Sequence, residues 1–580
     1  MEYKTNESSV KKHTVIFGGI RFEYKECENI FISIEPGKKG FDYSDGDEVE
    51  QRIHKIVTSI SNKEVFSEEL ASHITDWPTE YHLSPRRGNI LRVIDTIKPG
   101  SRVLELGCGC GAITRYLAEI GCYIDAVEGS HTRARIAGER VRELSNASVY
   151  NADFSNLKLE KEYDYVALIG VLEYAPKFFD TDNPIVTCLE LASGALKSDG
   201  KLVVAIGNQL GVKYFAGLPE DHHSKAYYGV EGRYADKQVV TYGKKELSEI
   251  LEKTGFKTID FSYPYPDYKL PQIVVTEAGA NSSDLNVSDL IYSSLLRSNE
   301  RKPVFDISST CKVLEKNGLI GELSNSFLVV ACLDENEKSI NENTLAEIYT
   351  DNRKPRFNTK TRIGFENKEV VVSKSHLLSD GNKKVDFHSI GGTEKYIEGE
   401  VLEVKVCEYL KKYQHDKAYA ILSMWVEYLK TISTDSRLPG RYVDAIPRNF
   451  IVDHGGRLHL IDDEWCFDEY VDYLLVVFRG IRSIVKNEHA EPYLEGVGEE
   501  ARIRAISKRL GLEKGFSRHW EEAVSYDKYL GELVYGGGKW IISYKPKTKN
   551  TPYLVEIKRL IRLVLQKTRL FGIVVKLKKR

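Results

Sequence analysis

Long apolar runs are missing from this sequence. The longest, such as "SFLVVACL" at 326–333, fall far short of the ~20 residues a membrane span needs. The N-terminal "MEYKTNESSVKKH" has no apolar core of the kind a secretory signal carries. Cysteine is scarce as well: nine in 580 residues cannot make a disulfide scaffold. Several of them (Cys188, Cys332, Cys466) lie in apolar surroundings, so buried thiols in a reducing compartment are expected. Charge of one sign is also lacking, and a net charge of −3 gives no global pull toward nucleic acid, which is not expected as a partner. There are no internal repeats. These absences together point to a cytoplasmic globular protein.

What is present is ample apolar material, 42% beside 29% charged residues, in a chain too long for one ordinary core. Residues 14–34 hold short β-rich runs, followed by a helical pattern around 47–60. From 85 to 275 strands and helices alternate: "RVLEL", a helix from Ala112, "CYIDAV", a helix through 131–144, "YDYVALI", a helix near 185–197, then "KLVVAI". Continuous apolar strands between amphipathic helices predict a parallel sheet covered on both faces. "KKELSEILEKTGF" (244–256) reads as a helix closed by Gly255. "SFLVVACL" reads as a late strand of the same sheet, reached after an insertion of roughly fifty residues.

The turn "ELGCGCGA" follows the first of these strands and opens a helix. Glycines there allow a sharp turn and a close approach of a ligand to the helix N-terminus. Gly107, Gly109 and Ala112 also satisfy the looser nicotinamide fingerprint, and Cys108 and Cys110 are candidate metal ligands without a matching cluster nearby. Three acids tilt the reading toward S-adenosylmethionine. Glu105 ends the first strand, where it can accept from the ligand's amino group. Glu128 ends the second, placed for both ribose hydroxyls. Asp153 follows the third, placed for the adenine amino group, with Phe154 near the ring.

Here the sequence resembles the class I S-adenosylmethionine-dependent methyltransferases, across roughly 80–280. The resemblance implies an α/β fold with a seven-stranded Rossmann-like sheet and carries cofactor roles onto Glu105, Gly107, Gly109, Gly111, Glu128 and Asp153. "GVLEYA" (170–175) matches the family's segment after the fourth strand, with Tyr174 where many relatives have His. The segment 207–234 packs Glu220, Asp221, His222 and His223 among aromatics, as a sugar-binding lid would; His222 is a candidate base for an attacking hydroxyl. A surface loop of solvated charges is the plain alternative. With "YHLSPRRGNILR" (81–92) and "YPDYKLP" (265–271), the region resembles a methyltransferase module of bacterial surface-polysaccharide clusters, which implies a saccharide or lipid-linked glycan acceptor.

Later, "VDAIPRNFIVDHGGRLHLIDDEW" places Asn449 five residues after Asp444, and Asp462 thirteen after Asn449. A Gly-Gly turn between "FIVD" and "RLHLI" predicts a hairpin that brings Asn449 and Asp462 side by side. Two such oxygen ligands suit Mg²⁺, and Asp444 on the preceding loop is placed to orient or deprotonate a hydroxyl. The stretch resembles the core of protein-kinase-like enzymes, nearest to aminoglycoside and sugar kinases. That implies Asp444 as catalytic aspartate, Asn449 and Asp462 as metal ligands, Lys374 in "EVVVSK" on ATP phosphates, and "EKYIEGEVL" (394–402) as an adenine-binding hinge. No glycine-rich loop precedes "EVVVSK", about twenty residues separate Lys374 from the hinge, and Tyr442 replaces the usual His, which implies a shortened kinase lobe. An active phosphotransferase, a degenerate nucleotide- or partner-binding scaffold, and a structural hairpin with coincidental acids all stay open.

The expected division is a β-rich leader (1–70), a methyltransferase domain (71–333), a linker (334–344), an α+β kinase-like domain (345–500) and a helical C-terminal region (501–580). The segment 558–580 holds nine Lys or Arg and no acid among aliphatics, an amphipathic basic helix in prospect. It is placed to meet an anionic membrane surface, giving a peripheral position at the inner face of the plasma membrane, or a glycan-assembly protein. The whole resembles bifunctional methyltransferase–kinases that cap polysaccharide ends.

Overall fold

The computed structural model describes residues 14–34, 46–297, 300–335, 340–378, 387–388, 390 and 392–536. All of these fall in one compact unit, Met1–Ile542. The basic segment 558–580 and residues 336–339 of the expected linker lie outside the described residues.

Alternation of buried side chains builds one continuous sheet. Its strands are β1 (Thr14–Phe17), β2 (Ile20–Lys25), β3 (Ile30–Ser33), β4 (Arg102–Leu106), β5 (Tyr123–Glu128), β6 (Ala147–Asn151), β7 (Tyr163–Ile169) and β8 (Leu196–Gly207), then β9 (Thr258–Tyr265), β10 (Ile273–Thr276), β11 (Ser326–Cys332), β12 (Thr344–Thr350), β13 (Thr359–Glu366), β14 (Glu369–His376) and β15 (Thr393–Lys395). The order across the sheet is β1-β2-β3-β6-β5-β4-β7-β8-β11-β9-β10-β12-β13-β14-β15. From β3 to β8 the neighbours run parallel; β11 enters antiparallel between β8 and β9. Every residue of β11 is buried, because layers of the core cover both of its faces. Leu104, Leu106, Phe327 and Val329 join one layer, while Val103, Leu328 and Val330 join the other.

The sheet has fifteen strands among the described residues, not the expected seven. Two additions account for this. The N-terminal β1–β3 meander is no detached leader: Phe31 and Ile32 pair with Tyr150 and Asn151 of β6, and Gly138 lies so close to Ile30 that a Cβ there would come within 2.5 Å of its side chain. At the other edge β12 pairs with β10, and β13 to β15 follow as an antiparallel ribbon, so the first strands of the second half extend the first half's sheet. Arg86 Nε and Asn89 Nδ2 donate to Asp351 at 2.9 and 2.6 Å, and Arg362 Nη2 donates to Asp95 at 2.5 Å, tying that ribbon to the segment before β4.

The second half has its own core around Trp425, Phe450 and Phe478, built from helices Leu402–Lys411, His415–Thr431, Tyr473–Lys486, Glu499–Arg509 and Phe516–Tyr535. The expected hairpin is there: Phe450–Val452 pairs with Leu458–Leu460 across the Gly455–Gly456 turn. Among the described residues no helix is long and apolar enough to cross a membrane.

Candidate functional site

The strand order reverses direction beside β4, with β5 on one side and β7 on the other. In open α/β sheets the strand ends at such a switch point leave a crevice. Here that crevice is a cleft walled by the ends of several strands. Its wall includes Glu105 of β4 and residues 107–110 beyond it, Glu128 at the end of β5, Phe154 after β6, and Gly170, Val171 and Tyr174 after β7.

The turn after β4 depends on left-handed glycines. Gly109 has φ +56° and Gly111 φ +74°, and a Cβ on Gly111 would also lie 2.8 Å from the Ala137 Cα. Gly111 caps helix Ala112–Glu119, from which Thr114 Oγ1 donates to Glu105 Oε2 at 2.6 Å. Glu105 is buried, and burial pushes its carboxyl up to about 8 against the Thr114 hydrogen bond and the Arg87 charge. Glu128 accepts from the Gly109 and Ser130 amides, each at 2.8 Å, and burial pushes its carboxyl up against the pull of Arg133. Arg133 Nε in turn donates to Glu50 at 2.8 Å.

Glu105, Gly107, Gly109, Glu128 and Phe154 thus converge on one cleft. Asp153 stands one residue behind that wall, where its Oδ1 accepts from the Ser155 amide at 2.9 Å. Sequence reasoning assigned no cofactor role to Tyr81, His82, Arg87 or Arg133, all of which line the cleft. For Tyr81, His82 and Arg87 the signal lay in "YHLSPRRGNILR", with its adjacent arginines; Arg133 had none.

On the β7 side, Tyr174 Oη lies 3.1 Å from His222 Nδ1, so the segment 207–234 touches the cleft wall directly. Two of its acids are withdrawn from solvent. Glu220 is 2% exposed and accepts from the amides of His222 and His223 at 2.8 and 2.7 Å. Asp221 accepts from Lys213, Lys269 and Arg297 at 3.1, 2.8 and 3.2 Å. Burial pushes the Asp221 carboxyl up, but those three cations outweigh it and hold it well below its usual range. Burial and Lys269 push the His222 ring down to about 3, so it is neutral at neutral pH.

A second constellation lies in the later half. The hairpin sets the Ile461 amide on the Asn449 carbonyl at 2.9 Å, so Asp462 follows one residue beyond that pair. Asn449 Nδ2 donates to the Asp444 carboxylate at 3.0 Å, and Arg479 Nη2 donates to it from the other side at 3.0 Å. Burial pushes Asp444 up, but Arg448 and Arg479 outweigh it, so it stays ionised. Lys374 Nζ, on β14, donates to Asp462 at 2.8 Å and to Glu464 at 3.3 Å. Glu464 also accepts from Arg353 at 2.5 Å. The expected hinge region holds β15 and the short strand Glu400–Val401, which pairs with Ile451 and Val452. Among the described residues no group of three or more His, Cys, Asp or Glu is arranged to hold a metal, Cys108 and Cys110 included.

A methyltransferase-domain family model matches residues 82–260, from the segment carrying Arg87 into β9. (S)-coclaurine N-methyltransferase of Thalictrum flavum subsp. glaucum is 35% identical over 86 residues, 14% of this chain and 24% of that protein. Sterol 24-C-methyltransferase erg6 of Schizosaccharomyces pombe is 26% identical over 202 residues, 34% of this chain and 47% of that one. The chain thus spans less than half the length of these curated relatives. Phosphoethanolamine N-methyltransferase 2 of Haemonchus contortus, solved with S-adenosyl-L-methionine, aligns at 17% identity over 47% of this chain and 60% of its own, with a TM-score of 0.28. The match at 82–260 coincides with the glycine turn, the acids at successive strand tips and the cleft between them, and residues 82–260 are thus similar to a methyltransferase domain.

Proposed function

We propose that this chain transfers a methyl group from S-adenosylmethionine to a hydroxyl of a saccharide or lipid-linked glycan. The observation that carries the reading is the shared wall between the cleft and the 207–234 segment, made by Tyr174 against His222. Glu105 would receive the ligand's amino group, Glu128 its ribose hydroxyls, and Phe154 would lie against the adenine, with Asp153 close behind. The bound ligand supplies an electrophilic methyl on a sulfonium. The chain's contribution is alignment of the acceptor oxygen with it, which can lower a barrier by several kcal/mol (about 7–11 in the best cases). His223 stacks on Tyr228 with ring centroids 4.3 Å apart, and Tyr234 packs against both, an aromatic platform that suits a sugar face. The relatives named above are N- and C-methyltransferases, so the test must discriminate. Tritiated methyl from the donor should enter surface-glycan fractions; label confined to protein, nucleic acid or amines removes the saccharide reading.

We propose further that the Lys374 constellation is a kinase-like Mg·ATP site. Asn449 and Asp462 would hold the metal, Lys374 the phosphates, and Asp444 would face an acceptor hydroxyl. The favouring observation is that Lys374 donates to Asp462 just after the hairpin while Asn449 just before it donates to an ionised Asp444. Metal-dependent ATP binding lost in Asp462→Ala, with transfer abolished in Asp444→Ala, supports an enzyme. Binding indifferent to Mg²⁺ and to Asp462 supports a scaffold instead. Residues 558–580 would seat the protein at an anionic membrane surface.

A further inference from the structure

Glu173 is 0% exposed, and the methyl-transfer reading leaves it unused. Its Oε1 accepts from Tyr268 Oη at 3.2 Å, while its equally buried Oε2 has no hydrogen-bond partner. Burying a carboxyl in this way is costly, and a group retained at such cost calls for an explanation. Oε1 also faces Nε2 of His222 at 3.8 Å. That gap is of the kind that tightens once substrate is bound. On the far side of the imidazole, Nδ1 meets Tyr174 Oη at 3.1 Å, and Tyr174 lines the cleft. The His222 ring cannot drift, because Glu220 clamps its backbone amide and Tyr174 meets it edge-on at 5.4 Å. Phenol, imidazole and carboxyl therefore stand in line from the cleft to the interior.

We propose that Tyr174, His222 and Glu173 form a proton relay that accepts the acceptor's proton during methyl transfer. Tyr174 is the catalytic residue that touches the acceptor hydroxyl; His222 and Glu173 are positioning residues behind it. The proposal rests on the methyl-transfer reading. In the balanced step the acceptor oxygen bonds the methyl carbon as the carbon–sulfur bond breaks and its electron pair returns to sulfur. The acceptor proton moves to Tyr174 Oη, the Tyr174 proton to His222 Nδ1, and the His222 Nε2 proton to Glu173. The site begins with a sulfonium and a carboxylate and ends with a thioether and a carboxylic acid, so no net charge is stranded in a buried place.

The electrostatics suit those roles. Burial pushes the Glu173 carboxyl up to about 7, with Lys269 and Tyr268 pulling it down and Glu220 pushing it up. It can hold a proton at neutral pH and then release it. Burial, Lys269, His223 and Lys213 disfavour a charged His222 and outweigh the pull of Asp221, so the ring passes a proton on rather than keeping one. Because the carboxylate is the competent form, turnover should rise with pH through about 7.

The test uses the full chain. Methyl transfer from tritiated donor into surface-glycan fractions is followed against pH for wild type, E173Q and Y174F, with calorimetry of S-adenosylhomocysteine binding as the control for an intact cleft. In parallel, the infrared carboxylic-acid C=O band is titrated without any acceptor. Expected are a band that titrates near neutrality and vanishes in E173Q, and turnover at least ~10-fold lower in both variants, with the neutral limb lost in E173Q. A wild-type pH profile in E173Q, or a carboxyl titrating in the ordinary range, overturns the relay and leaves the methyl-transfer reading standing. If the wild type labels no glycan while the band still titrates near neutrality and vanishes in E173Q, the acceptor reading fails and the proton store is supported.

Discussion

Glu105 should make cofactor binding release a proton. Its carboxyl is buried and held at about 8, so the free protein carries it protonated at neutral pH. A ligand amino group placed against it favours the carboxylate, and binding must then ionise it. At about pH 6 that costs about 2.7 kcal/mol, two pH units at about 1.36 kcal/mol each, or roughly 100-fold in affinity relative to a site already ionised. Between about pH 6 and 8 the logarithm of the S-adenosylhomocysteine association constant should therefore rise with a slope approaching one. Titration calorimetry in buffers of different ionisation enthalpy counts the proton directly. E105Q isolates this residue from Glu128, whose carboxyl burial also pushes up; the variant should bind with a flat profile. Affinity that moves less than about threefold across this range, or proton release that persists undiminished in E105Q, refutes the reasoning.

Gly111→Val combines a left-handed backbone with a Cβ 2.8 Å from the Ala137 Cα, so unfolding in urea should show a loss of about 2–5 kcal/mol, from strain and overpacking together. Asp221→Asn leaves Lys213, Lys269 and Arg297 without their shared carboxylate, at a cost of about 3–5 kcal/mol. The folded Asp221 carboxyl lies below its unfolded value, so its stabilisation is present above the ordinary carboxylate range and fades as pH falls toward the folded value. Thermal unfolding of D221N should accordingly differ most from wild type at neutral pH and converge with it in strong acid. Arg362→Ala removes the cation shared by Asp95 and the fully buried Glu347. Because the sheet is continuous, calorimetry should show one transition displaced as a whole; two transitions, with only the later half weakened, would contradict that continuity.

Local rules made much of the first half legible. "RVLEL" with a glycine turn, and acids closing successive apolar strands, are signals whose cause lies within a few residues, since a strand tip at a parallel-sheet switch point fixes where its next side chain goes. For the same reason the hairpin at 450–460 could be read from its turn. Other features needed contacts between residues distant in sequence. That Asp221 is ion-paired rather than solvated depends on Lys269 and Arg297 arriving from far down the chain. Arg87 enters the cleft wall from a segment that precedes β4. Glu173 was hidden inside an apolar stretch, and its meaning appears only where His222 meets it. The strand count followed the same division: alternation fixes which residues can be strands, but which strand a free edge accepts is decided by long-range pairing, and here β6 took β3 and β10 took β12.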